Sequence, residues 1–151
     1  MKVLFVCLGN ICRSPTAEAV LRALTTSNKV DLTIDSAGTA AYHIGKSPDE
    51  RSMAAAAKRG IDMQGLKARQ VGKQDFYDFD YVFAMDKSNY ADLSDLQPAD
   101  GKAELVLFLD EYGSKERDEV PDPYYGGDLG FEWVLDLLES ACSDFLTRIQ
   151  K

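Results

Sequence analysis

The segment Cys7-Leu8-Gly9-Asn10-Ile11-Cys12-Arg13-Ser14 puts a thiol and a guanidinium at the two ends of one short loop. A thiolate is a strong nucleophile, and a planar guanidinium can hold two phosphate oxygens at once, in the ground state and as charge shifts during transfer. Gly9 permits positive φ and Asn10 tolerates it, so the backbone can wrap into a concave nest of the kind that holds phosphate. The spacing Cys-x5-Arg is loose by itself, and a cysteine at a strand end is most often a small buried hydrophobe. A preceding strand, the Gly-Asn turn and a following Ser-Pro make it a much rarer arrangement, which favours anion chemistry.

Such a loop needs a strand before it and a helix after it. Val3-Leu4-Phe5-Val6 is a continuous apolar run rich in β-formers, as in a parallel strand covered on both faces, and it ends near Cys7. Ser14 then reads as an N-cap with Pro15 at the first helical position, and Ala17, Val20, Leu21 and Leu24 follow at helical spacing. A helix N-terminus favours negative charge, which suits both the Cys7 thiolate and an incoming anion. Arg13 opposes the same dipole and is poorly placed unless an anion sits between them.

Further along, Val30, Leu32 and Ile34 alternate with polar residues and predict a second strand ending near Ser36-Ala37-Gly38. Pro48-Asp49 opens an Ala-rich helix through Met53 and Ala57, with Gly60 placed to close it. Tyr81-Val82-Phe83-Ala84 and Leu105-Val106-Leu107-Phe108 read as two more buried strands, with a short helix over 88–96 between them. Phe131, Val134, Leu135, Leu138, Cys142, Phe145, Leu146 and Ile149 make the apolar face of a long C-terminal helix. The alternation predicts an α/β three-layer sandwich, a parallel sheet with helices on both faces, whose ligands sit beyond the carboxyl ends of the strands. Two segments can reach that edge, the Cys7 loop and the polar, Pro- and Gly-rich stretch 112–130.

The 151 residues suit one domain, 1–151, able to bury an ordinary core without disulfides or a structural metal. A net charge of -8, from 25 acidic against 17 basic residues, speaks against nucleic acid as a partner, and any phosphate site must be local. The apolar start is far too short to span a bilayer and does not read as a signal peptide, so no membrane partner is expected. A reducing, cytoplasmic setting is expected, with Cys7, Cys12 and Cys142 as free thiols. Those cysteines and the lone His43 lack the paired spacings of zinc sites, so no metal is expected.

With Pro15 added, the Cys7 loop resembles the signature of the low-molecular-weight protein tyrosine phosphatases. Ser36-Ala37-Gly38-Thr39, Pro48-Asp49 with Arg51, Ala68-Arg69-Gln70, Met85-Asp86 with Ser88-Asn89, and Asp122-Pro123-Tyr124 extend the resemblance over nearly the whole chain. It implies a single phosphatase domain with a four-stranded parallel sheet, a phosphocysteine intermediate on Cys7, and no metal or organic cofactor. Phosphate would be held by Arg13 and by the loop Leu8, Gly9, Asn10, Ile11 and Cys12. The resemblance further implies that Ser14 supports Cys7 as leaving thiolate, that Asn10 and Ser36 shape the loop, and that Asp122 acts as general acid and then as base. On their own, Ser14 is equally a helix cap and Pro121-Asp122-Pro123 equally a stiff turn. Leu66 stands where many members carry a histidine that supports the loop through residues matching Asn10 and Ser36, which leaves that support open.

Leu8, Tyr42, Tyr124 and Tyr125 lie on segments expected near the mouth and suit stacking on a phenyl ring. His43 reads as a surface loop residue. By resemblance, the partners are tyrosine-phosphorylated proteins and a tyrosine kinase acting on Tyr124 or Tyr125. Cys12 shares the loop with Cys7, so the two are a candidate redox pair, the alternative being that Cys12 is a small residue packed beneath the loop. Three rivals remain: a phosphatase for arginine phosphate, which the resemblance would give Thr at Ile11; an arsenate reductase, needing two further cysteines where only Cys142 remains; and an anion-binding module without turnover, against which intact Cys7, Arg13 and Asp122 speak.

Overall fold

The apolar run at the start of the chain forms the strand β1 (Lys2–Cys7). It is followed by α1 (Arg13–Asn28), β2 (Thr33–Gly38), α2 (Glu50–Ala57), α3 (Asp75–Asp78), β3 (Tyr81–Ala84), α4 (Lys87–Leu96), β4 (Glu104–Leu107), α5 (Phe108–Glu111) and α6 (Gly127–Ile149). This computed structural model describes residues 1–123 and 127–150. The four strands form one parallel sheet in the order β2-β1-β3-β4, which puts β1 at the centre. Being covered on both sides explains why β1 is apolar at successive positions.

The period of two along β1 divides its side chains between two layers. Val3, Phe5 and Cys7 face the larger core with Val20 and Leu21 of α1 and Val134, Leu138 and Phe145 of α6. Leu4 and Val6 face the smaller core with Phe76 of α3 and Leu93 of α4. The fold is therefore an α/β three-layer sandwich with helices on both faces of the sheet. Phe5, Phe83 and Phe108 pack with ring centroids 4.8 to 5.4 Å apart, and Phe145 joins Phe83 at 5.2 Å. Each ring removes roughly 1.5–3 kcal/mol worth of apolar surface from water, which pins the strand that ends at Cys7.

Three boundaries differ from the sequence reading. β2 begins at Thr33, because Val30 is held in the end of α1: Lys29 takes φ 55°, and the Val30 N–H donates to the Thr25 carbonyl at 2.9 Å. β4 runs one residue earlier than expected, and Phe108 already starts α5. α1 begins at Arg13 after Cys12, so Ser14 lies inside the helix and is not its cap. Gly60 does close α2, taking φ +76° as the Ile61 N–H reaches back to Ala56 at 3.0 Å.

Candidate active site

β1 ends on Cys7 and α1 begins on Arg13, so the loop between them lies at the carboxyl edge of the central strand. Cys7, Asn10, Arg13 and Ser14 are buried, whereas Leu8 is 44% exposed at the rim. Asn10 makes the turn with φ 57°. Gly9 keeps negative φ; it is small because His43 lies over it, and a Cβ there would stand 3.0 Å from His43 Cδ2. Gly38 is needed in the same way, since a Cβ would meet the Leu8 carbonyl oxygen at 2.8 Å.

The loop's carbonyls are engaged from outside. Thr39 donates its N–H to the Cys7 carbonyl at 2.9 Å, Ala40 to that of Leu8 at 3.0 Å and Asp49 to that of Ile11 at 2.8 Å, while Thr16 bonds that of Cys12 within α1. Turning C=O groups outward leaves the loop's N–H groups, backed by the α1 N-terminus, to meet an anion.

Ser14 and Asn10 serve the thiol directly. Ser14 Oγ lies 3.0 Å from Cys7 Sγ, and the Asn10 backbone N–H donates to the same sulfur at 3.3 Å. Ser14 makes this contact from the first turn of α1, past the cap position at Cys12. The Asn10 amide donates to Ser14 Oγ at 2.8 Å and to Ser36 Oγ at 3.0 Å, while its Oδ1 accepts the Arg69 N–H at 3.0 Å. Ser36 sits on β2 opposite Phe5 of β1, which brings it beneath the loop.

Arg13 Nη1 donates to Asp86 Oδ2 at 2.7 Å and to the Val120 carbonyl at 3.2 Å. Burial works against its charge, yet Cys7, Asp86 and Asp122 together hold its pKa above the usual arginine value. Asp86 divides its two oxygens: Oδ1 caps α4 by accepting the Asn89 N–H at 2.7 Å, and Oδ2 takes Arg13. The sequence reading gave Asp86 no role, although an aspartate just before a helix start is a visible cap signal. Val120, two residues before Asp122, also donates its N–H to the Met85 carbonyl at 2.7 Å, fastening that loop to the end of β3.

Cys7, Leu8, Gly9, Ile11, Cys12, Arg13, Tyr42, His43 and Asp122 line one cavity of about 190 Å³. The structure thus brings together the thiol, the guanidinium and the carboxylate singled out from sequence, with Tyr42, 74% exposed, at the rim. His43 belongs to the mouth and is not merely a surface residue. Tyr124 and Tyr125 lie outside the described residues. Leu66 packs against the main core and makes no polar contribution to the loop. Among the described residues no cluster of His, Cys, Asp and Glu could hold a metal ion, and no helix is long and apolar enough to cross a membrane.

A thiol and a guanidinium on one strand-to-helix loop, at the switch edge of a parallel sheet, define a class of α/β proteins with a site suited to a phosphate group. Comparison with known proteins narrows the class. The family profile for low molecular weight phosphotyrosine protein phosphatases matches residues 2–151. A low molecular weight phosphotyrosine protein phosphatase of Gallus gallus is 47% identical over 150 residues, spanning 97% of this chain and 94% of its own. A crystal structure of an Entamoeba histolytica protein tyrosine phosphatase superposes with a TM-score of 0.93 at 41% identity, covering 99% of this chain and 96% of that one. A Drosophila arginine phosphatase superposes with a TM-score of 0.91 at 37% identity, covering 100% and 99%. The chain belongs to the low molecular weight phosphotyrosine protein phosphatase family, a family of hydrolases.

Proposed function

We propose that residues 1–151 form a single phosphatase domain that hydrolyses phosphotyrosine in proteins through a phosphocysteine on Cys7. The observation that carries this reading is the shared cavity of Cys7, Arg13 and Asp122 over the strand-to-helix loop. The Cys7 thiolate attacks phosphorus while Arg13 and the loop amides hold the phosphate oxygens. The P–O bond to the ring breaks, and Asp122 protonates the departing phenolate, whose conjugate acid has a pKa of about 10. Water then attacks the phosphocysteine, Asp122 takes its proton, and the thiolate leaves toward the Ser14 hydroxyl as phosphate is released. Leu8, Ile11, Tyr42 and His43 supply walls for a phenyl ring. Tyr124 and Tyr125, by resemblance alone, are proposed as targets of a tyrosine kinase. Three unpaired cysteines suit a reducing, cytoplasmic setting.

Phosphate release tests the reading against its rivals. The protein is expected to release phosphate from a tyrosine phosphopeptide and much less from an arginine-phosphorylated protein, in keeping with Ile11 at the cavity wall. Preference for phosphoarginine would reassign the substrate, and no release from either would sink the enzyme reading.

We also assign Cys7 and Cys12 to a reversible redox pair. Cys12 is buried on the same loop, and burial foremost, with Asp49 adding, pushes its thiol pKa up to about 12, so Cys7 is the thiol that meets an oxidant first. Peroxide would oxidise Cys7 to a sulfenic acid, and the Cys12 thiol would displace water from it to close the disulfide. After peroxide and then reductant, wild-type activity is expected to return while that of Cys12→Ser does not; equal recovery would end the idea.

A further inference from the structure

Glu18 is a buried carboxylate for which the proposed chemistry has no use. It lies on α1 at 4% exposure, and both of its oxygens are engaged. Oε1 accepts the Ser36 hydroxyl at 2.7 Å, and Oε2 accepts Arg22 Nη2 at 2.5 Å. Ser36 accepts from Asn10, Asn10 also donates to Ser14, and Ser14 touches the sulfur, so a continuous chain of hydrogen bonds joins Glu18 to Cys7.

The charge on Glu18 fixes the direction of the first bond in this chain. An ionised carboxylate accepts and cannot donate, so Ser36 must donate to Glu18 and turn a lone pair toward Asn10. The Asn10 amide then gives one N–H to each serine, with its oxygen on the Arg69 N–H. Ser14, having accepted from Asn10, keeps its own proton, for which Cys7 Sγ at 3.0 Å is a nearer acceptor than the Ala37 carbonyl at 3.4 Å. With the Asn10 amide reversed, both serines would donate to Asn10, Arg69 would face another donor, and the sulfur would lose the Ser14 proton.

We propose that Glu18 is a positioning residue that sets the direction of this relay and so keeps the Ser14 hydroxyl aimed, as a donor, at the sulfur of Cys7. The proposal rests on the reading of Cys7 as nucleophile and leaving group. It also accounts for Leu66: Ser36 reaches a carboxylate directly, and the loop is supported from α1 without a histidine.

Energetics favour a functional reason for the charge. Burial raises the Glu18 pKa above the ordinary carboxylate value; the Ser36 hydrogen bond and Arg22 oppose this, Asp35 adds to it and Arg69 opposes it. A carboxyl group with a raised folded-state pKa favours the fold below its unfolded pKa and loses that contribution as pH rises through the folded value. Ionised Glu18 therefore costs stability at neutral pH, and a neutral isostere removes the cost.

Glu18→Gln provides the test. Its amide oxygen would be drawn to Arg22 and its NH2 turned to Ser36, putting a donor where the relay needs an acceptor. The turnover number kcat for a tyrosine phosphopeptide is expected to fall about tenfold, with KM within about twofold of wild type. Alkylation of Cys7 by iodoacetate at mildly acidic pH, followed by peptide mapping, should slow by a similar factor, while Tm is unchanged or higher. Ser36→Ala should show the same losses, and the double variant no more than either single one. Wild-type kcat and alkylation in Glu18→Gln, or a change confined to Tm, would overturn the proposal. If the wild type releases no phosphate, the phosphatase reading fails while the alkylation comparison still tests the relay.

Discussion

Replacing Cys7 with Ser is expected to lower phosphate release from a tyrosine phosphopeptide by on the order of 10⁴-fold or more, while the variant still binds the peptide. The sulfur sits at the end of β1 with two hydrogen-bond partners, the Asn10 N–H at 3.3 Å and the Ser14 hydroxyl at 3.0 Å. A serine hydroxyl in the same place is a far weaker nucleophile and a poorer leaving group than a thiol. Binding is retained because Arg13, its Asp86 partner and the outward-turned carbonyls are untouched by the change. Titration with a labelled phosphopeptide reads the binding, and steady-state phosphate release reads the turnover. Turnover within tenfold of wild type would remove Cys7 from the nucleophile's place, whereas loss of binding with the fold intact would mean that the sulfur mainly shapes the cradle.

For Asp122→Ala the loss is expected to depend on the leaving group. With a tyrosine phosphopeptide the rate should fall about 10²- to 10³-fold, because phenolate then departs without a proton. With an aryl phosphate whose phenol is acidic enough to leave as the anion, the loss should be under about tenfold. The proposed acid role gives this carboxylate a place beside the thiol. It lines the cavity two residues after Val120, which is fastened by its N–H to the end of β3 and by its carbonyl to Arg13. Arg13, the proposed phosphate ligand, thereby helps to hold the segment that carries Asp122. Equal losses with both substrates would assign Asp122 to binding or to loop shape.

How far the sequence foretold these features depended on how local their causes were. β3 was legible to the residue, since Tyr81-Val82-Phe83-Ala84 is a buried run with nothing competing for it. Ser14 was misread as a cap because the usual rule for Ser-Pro looks only along the chain; α1 begins at Arg13, and the Ser14 hydroxyl lies against the thiol at the end of β1. Gly9 was credited with a backbone turn, but its smallness answers His43, a neighbour across space. The charge of Arg13 at a helix start looked paradoxical without a ligand; Asp86, from the far end of β3, answers part of that paradox before any phosphate arrives. The four-residue helices α3 and α5 were missed, being too short to show a period. Cys7, Arg13 and Asp122 were legible as candidates, but Glu18 was not, because one acid among helical residues carries no local mark of burial.

The backbone bonds that Thr39, Ala40 and Asp49 make to the loop's carbonyls bear on the thermodynamics of ligand capture. Fixing a residue's backbone costs roughly 1–2 kcal/mol in conformational entropy, and here that cost is met when the chain folds, since neighbouring segments already hold the cradle from behind. A phosphate monoester therefore meets a preorganised socket, so that little of its interaction energy goes into ordering the protein. The same bonds make the rim segment that carries Tyr42 and His43 an outer brace of the cradle, so a change that loosens 39–49 should weaken anion binding without touching a single group that contacts phosphate.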